Sequence, residues 1–228
     1  MVDKQNITLL SYPRSGNTFT RYILEFLTGY SSLGYNNDLD KPLLNVNKEC
    51  RIFKKHGHTL EEERYFNNLS RESKFILLLR HPYECYVRHN SIHLDTANFI
   101  KDFSKKDNLY IKNLIKFNLF MGEKKILFYE QLMTDHESYV QECSSFLNTD
   151  QSRVSEFLEN YDFHKAQGIK KYTPKSRSLG SKDPIRFYRS GNFNFDNSEF
   201  LNFFDRKLAD ILEGKYVSQI SNFYRGIN

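Results

Sequence analysis

Ile7-Thr8-Leu9-Leu10-Ser11-Tyr12-Pro13-Arg14-Ser15-Gly16-Asn17-Thr18-Phe19 is the stretch on which the fold turns. Ile7 to Ser11 is a short apolar run ending at a turn, which predicts a buried strand. Beyond the turn, Phe19, Tyr22, Ile23, Phe26 and Leu27 recur at helical spacing and form one apolar helix face. Gly29 is a natural stop for that helix. Between strand and helix lies a turn with one glycine, Gly16, which lets the backbone approach a ligand closely. The amides that follow it and the helix dipole favour an anion. Ser15, Asn17 and Thr18 can add donors, and Arg14 adds a fixed positive charge. A phosphate group fits this description.

Outward from that stretch the same alternation continues. Arg51 to Lys55 reads as a strand. Phe75 to Leu79 is a strong buried strand, closed by Arg80-His81-Pro82, with a helix starting near Pro82. Lys125 to Tyr129 is a fourth strand. Residues 136–147, 151–160 and 198–213 read as helices. Residues 30–49 and the basic stretch Gly168 to Gly191 read as loops. Strands alternating with helices predict an α/β fold of three layers, a central parallel sheet flanked by helices, with ligands at the carboxyl ends of the strands. The 228 residues suit a single domain over 1–228.

Composition narrows the function classes. Hydrophobic residues are 39% and charged residues 27%, a globular balance with no run long enough for a membrane span. The net charge of +5 permits an anionic ligand without demanding nucleic acid, so no nucleic-acid partner is expected. The N-terminus shows no secretory signal. The scattered Cys50, Cys85 and Cys143 argue against a disulfide framework and a zinc site, and fit a reducing, cytoplasmic compartment. The Walker A pattern G-x-x-x-x-G-K-S/T is absent, which disfavours a nucleoside-triphosphate hydrolase. No G-x-S-x-G elbow is present either.

Tyr12-Pro13-Arg14-Ser15-Gly16-Asn17-Thr18-Phe19 resembles the 5′-phosphosulfate loop, Y-P-K/R-S-G-T/N-T-W/F, of the sulfotransferases that use 3′-phosphoadenosine 5′-phosphosulfate (PAPS). Four further stretches agree in order. Phe53-Lys54-Lys55-His56 is similar to the family's K-S/T-H segment, which would make His56 the base and Lys54 its assisting cation. Imidazole titrates near neutrality and can accept a hydroxyl proton, while Lys54 and Arg14 can stabilise developing negative charge. Leu79-Arg80-His81-Pro82 looks like the 3′-phosphate segment. Arg80 matches there, and Arg88 stands where the family has serine; Ser91 lies a turn later and is the alternative contact. Phe128-Tyr129-Glu130-Gln131-Leu132 resembles a segment whose tyrosine lines the adenine pocket, implying that role for Tyr129. Phe163, in Tyr161-Asp162-Phe163, is a weaker match to another adenine-contacting segment, and core packing is the usual fate of such a residue. Phe19 sits where the family often stacks a tryptophan on the base. Arg189, Ser190 and Gly191 resemble the R-K-G loop that closes over the 3′-phosphate, with serine replacing lysine.

The resemblance implies a P-loop-like fold and a sulfotransferase. Such an enzyme transfers a sulfuryl group from PAPS to an acceptor hydroxyl, less readily an amine, and releases adenosine 3′,5′-bisphosphate (PAP) without a metal. The acceptor would be a small molecule or carbohydrate, bound by loops near 30–50, 93–106 and 168–186. Two alternatives stay open. One is a nucleotide kinase or phosphotransferase of similar fold; the other is a non-catalytic module that binds PAP or another nucleotide.

Overall fold

The computed structural model describes residues 5–33, 43–44, 49–90, 92–105, 107–172 and 196–226. Strand β1 (Ile7–Ser11) leads through a turn into helix α1 (Asn17–Thr28). Strands β2 (Ser31–Leu33) and β3 (Cys50–Lys55) follow, then helix α2 (Leu60–Asn67) and strand β4 (Lys74–Leu79). Helices α3 (Pro82–Asn90), α4 (Thr96–Phe103) and α5 (Leu109–Leu119) precede the last strand, β5 (Lys124–Phe128). Helices α6 (Tyr129–Thr134), α7 (His136–Leu147), α8 (Gln151–Glu159) and α9 (Tyr161–Tyr172) come next. Helices α10 (Asn197–Ile211) and α11 (Gly214–Gly226) end the described chain.

The strands form one parallel sheet in the order β2-β3-β1-β4-β5. The chain leaves central β1 for one edge, returns to it through β3, and then crosses to β4 on the other side. That reversal opens a crevice at the carboxyl ends of β3, β1 and β4, where parallel sheets bind ligands. The predicted three-layer α/β fold is present.

The central strands β1 and β4 are buried along their whole length and are apolar almost throughout, as strands covered on both faces are. Side chains still alternate. Leu10, Phe75, Leu77 and Phe128 join one core with Phe99, Leu114, Phe117 and Phe204 from α4, α5 and α10. Leu9, Ile76, Leu78 and Leu127 join the other with Ile23 and Leu27 of α1, Tyr139 of α7 and Phe157 of α8. Burial on this scale contributes about 1.5–3 kcal/mol per large apolar side chain, and it holds the strand ends rigidly under the crevice.

Several elements differ from the sequence expectation. Ser31–Leu33 forms an edge strand within the expected 30–49 loop; its short, partly polar run carries no strand signal. The helix expected over 198–213 forms as α10, but it is not the last one: α11 follows it after a break at Leu212 and Glu213. Helix α4 occupies most of 93–106, an expected acceptor loop, and Asp95 caps it by accepting from the Asn98 N–H. Helix α9 reaches Tyr172, inside the expected loop over 168–186. No described helix is long and apolar enough to cross a membrane.

Candidate active site

The turn after β1 has the backbone that anion recognition needs. Arg14 at φ 71° and Gly16 at φ 83° are both left-handed. Left-handed residues alternating with right-handed ones turn backbone N–H groups toward one concavity. Arg14 adopts this conformation against the preference of a side chain with a Cβ, a strain typical of ligand-binding turns. Gly16 is also the residue before α1, and no side chain caps the helix there. A Cβ on Gly16 would stand 2.1 Å from Tyr129 Cδ2, because the Tyr129 ring packs directly on the turn. The Ser15 side chain is buried, its Oγ 3.2 Å from Cys85 Sγ, and Asn17 donates from Nδ2 to Ser11 Oγ at 2.7 Å. These two side chains brace the turn from within. Thr18 is half-buried and Arg14 is exposed.

Arg80, at the carboxyl end of β4, is only 4% exposed. Its Nη1 donates to the Arg14 carbonyl at 3.2 Å, and its guanidinium lies 4.4 Å from the Tyr129 ring centroid. Its Nε is buried and meets no acceptor among the described residues. Glu84, a turn into α3, joins the two expected phosphate ligands: its Oε2 is 3.5 Å from Arg80 Nη2 and 3.5 Å from Arg88 Nε. Arg88 is thus ion-paired on the Arg80 side of its helix. Ser91 lies outside the described residues.

His56 closes β3. Strand β3 pairs directly with β1, Leu9 opposite Lys54 and Leu10 opposite Lys55, so Lys54 and His56 reach the crevice beside the turn. His56 Nδ1 lies 2.9 Å from the Ser11 carbonyl oxygen. A carbonyl only accepts, so Nδ1 carries the hydrogen and Nε2 keeps the lone pair in the neutral ring. Burial, followed by the charge of Lys54, pushes the His56 pKa down to about 4, against the opposing effect of the Ser11 carbonyl. His56 is therefore uncharged at neutral pH. His58 stacks near it, ring centroids 6.0 Å apart, but is exposed.

An aromatic wall rises on the α1 side. Phe19 lies 6.1 Å from Tyr161, which stacks on His136 at 3.7 Å. A Cβ on Gly168 would come within 2.7 Å of the Phe19 ring. Phe163 is 60% exposed and contributes nothing to the core expected of it. In α9 it is Tyr161 and the buried His164, three residues apart, that turn inward, and Phe163 falls between them. Tyr161 belongs to the same quoted segment, and the helical period is the signal that picks it out. Glu84 is missed by the sequence reading, because a carboxylate beside two arginines is not announced by any anion-binding pattern. Arg189, Ser190 and Gly191 lie outside the described residues. Among the described residues no group of His, Cys, Asp or Glu could hold a metal ion.

No family model and no curated protein matches the chain. Among solved structures it is similar to mouse sulfotransferase SULT7A1 complexed with PAP. The TM-score is 0.57 at 15% identity, over 98% of this chain and 89% of that one. The chain has the sulfotransferase fold. At this identity the likeness extends to the fold alone.

Proposed function

We propose that the chain is a PAPS-dependent sulfotransferase acting on a hydroxyl group of a small molecule or carbohydrate. One observation carries the reading. The anion-binding turn after β1, the neutral His56 after β3 and the buried Arg80 after β4 meet at the carboxyl ends of three adjacent strands. The fold shared with a PAP-bound sulfotransferase supports the choice of nucleotide.

In this reading the turn from Arg14 to Thr18 holds the 5′-phosphosulfate, and Arg80 and Arg88 hold the 3′-phosphate. Tyr129, Phe19 and the neighbouring Tyr161 flank the adenine. The acceptor oxygen attacks sulfur as the bond from sulfur to the phosphate oxygen breaks. The hydroxyl proton passes to His56 Nε2. The departing electron pair stays on the phosphate oxygen of PAP, where Arg14 and Lys54 stabilise it. A kinase reading has less support, since no lysine follows Gly16 in the turn.

Thermal shift with PAP, PAPS, ATP and GTP tests the nucleotide, because a ligand that binds only the folded state raises the melting temperature. PAP and PAPS are expected to stabilise the chain above the other two. Transfer of labelled sulfate from PAPS to a panel of hydroxylated acceptors tests the reaction. Stabilisation by ATP alone, or no transfer to any acceptor, would overturn the assignment.

A further inference from the structure

We infer that Glu62, which lies behind the strand ends and outside the crevice, is the positioning residue that fixes the orientation and tautomer of His56; its kinetic consequence rests on the sulfotransferase reading. The Glu62 side chain is fully buried in the first turn of α2. It forms a capping box with Thr59, but the box accounts for little of what the carboxylate does. The Thr59 N–H reaches Glu62 Oε2 only at 3.4 Å. The shorter bonds go upstream: the His56 N–H donates to Oε1 at 2.8 Å, and the His58 N–H donates to Oε2 at 2.9 Å. An ordinary cap needs neither of them.

Helix α5 holds the same turn from the other side. Asn113 Nδ2 donates to the His56 carbonyl at 3.1 Å, and Lys116 Nζ donates to the Gly57 carbonyl at 3.0 Å. Gly57 sits at φ 80°, and a Cβ on it would come within 2.3 Å of Asn113 Oδ1. The polar atoms of His56 are thereby assigned one by one. Its N–H goes to Glu62, its carbonyl to Asn113 and its Nδ1 to the Ser11 carbonyl, which leaves Nε2 for substrate. The titratable groups facing the ring are Lys54 on β3, His58 in the turn and Glu62 on α2; Lys116 on α5 contacts the turn and pairs with Glu63. Burial would raise the Glu62 pKa, but the two backbone N–H donors outweigh it, so the carboxyl is held below its usual range and stays ionised.

Both carboxylate oxygens accept a backbone N–H. Glu62→Gln leaves one acceptor and turns an NH₂ toward the other donor, so the 56–58 backbone must shift. A reacting group displaced by about 1 Å loses on the order of a hundredfold in rate. The wild-type protein, Glu62→Gln, Glu62→Asp and Thr59→Ala would be compared by histidine-labelled nitrogen NMR, PAP binding and PAPS turnover. Wild type is expected to show His56 as the single Nδ1–H tautomer. Glu62→Gln should show mixed tautomers and a tenfold to hundredfold lower kcat, with PAP affinity unchanged. Thr59→Ala, which removes a cap without touching His56, should lower the melting temperature but keep tautomer and kcat. Should Glu62→Gln fail to fold, Glu62→Asp, which retains two acceptor oxygens one methylene short, carries the same comparison. A wild-type tautomer in the folded Glu62 variants, or losses in Thr59→Ala equal to theirs, would overturn the inference. If the wild-type protein neither binds PAP nor transfers sulfate, the sulfotransferase reading fails, and the tautomer comparison still decides the role of Glu62.

Discussion

At the residue scale, His56 and Arg80 have separable duties. His56→Ala is expected to lower turnover by roughly 10²–10⁴-fold with PAP affinity nearly unchanged, since a general base acts on the acceptor. A variant retaining half the wild-type rate removes His56 from the chemistry. Because burial holds the His56 pKa near 4, the base stays neutral well below pH 7, and the rate should fall only as the pH approaches that value. A pH–rate profile with its acid limb near neutrality points to another base. For Arg80→Ala, PAP should lose about ten- to a hundredfold more affinity than adenosine 5′-phosphate, the range of a charged hydrogen bond to phosphate. Equal losses would mean that Arg80 serves mainly to brace the Arg14 carbonyl and the Tyr129 ring. Arg80 was legible from its place at a strand end, but its brace on the turn was not, because that contact joins residues 66 apart in the chain.

At the element scale, the strand–turn–helix from Ile7 to Thr28 is stable only with its particular backbone. Gly16→Ala must hold a left-handed residue, at about 1–2 kcal/mol, and also force the Tyr129 ring away. Chemical denaturation should show a loss of at least about 2 kcal/mol, and calorimetry should show PAP binding weakened. Adding Tyr129→Ala should recover the steric part while leaving the backbone strain, so the double variant loses less than the two single losses together. Additive losses would mean that the ring moves freely. Arg14→Gly runs the other way: it relieves a left-handed side chain and should raise stability by up to about 1 kcal/mol while lowering turnover. This turn was the most readable element, because glycine, apolar period and strand run occur together within a short stretch. Helices α2, α4 and α5 were not foreseen. Helix α2 carries polar residues along much of its length, and its helical state rests on the Thr59–Glu62 cap and on the bond from Lys116 of α5 to Glu63.

At the scale of the whole molecule, partly desolvated histidines couple stability to pH. Burial pushes His56 and His81 down to about 4 and lowers His89 and His164 as well. Unfolded, a histidine takes up its proton near pH 6.5; folded, His56 and His81 do so only near 4. The unfolded chain binds more protons between these values, so the stability these groups confer is full above pH 6.5 and is lost as the pH falls through 4. A fully buried imidazole contributes a slope of up to about 1.4 kcal/mol per pH unit, and the half-buried His56 and His81 less. Urea denaturation at about pH 7 and about pH 5 should show the chain markedly weaker at the lower value. Equal midpoints would mean that these rings titrate as they do in water.

The sequence by itself determined the layers of this protein and the chemistry of its central turn. Strand and helix periods, Gly16 and the cations around it are local facts, written within a few residues of one another. Only the tertiary structure decided which residues meet. Parallel pairing of β3 with β1 carries His56 to the Ser11 carbonyl, and that hydrogen bond selects the nitrogen left for proton transfer. The edge strand β2, the inward turn of Tyr161 in place of Phe163, and the sharing of Glu84 between Arg80 and Arg88 depend on neighbours distant in the chain or on the rotation of a helix. Periodicity states that a residue has a buried side. What waits on that side, and which lone pair or proton it holds in place, is settled when the crossover connections bring the strands into order.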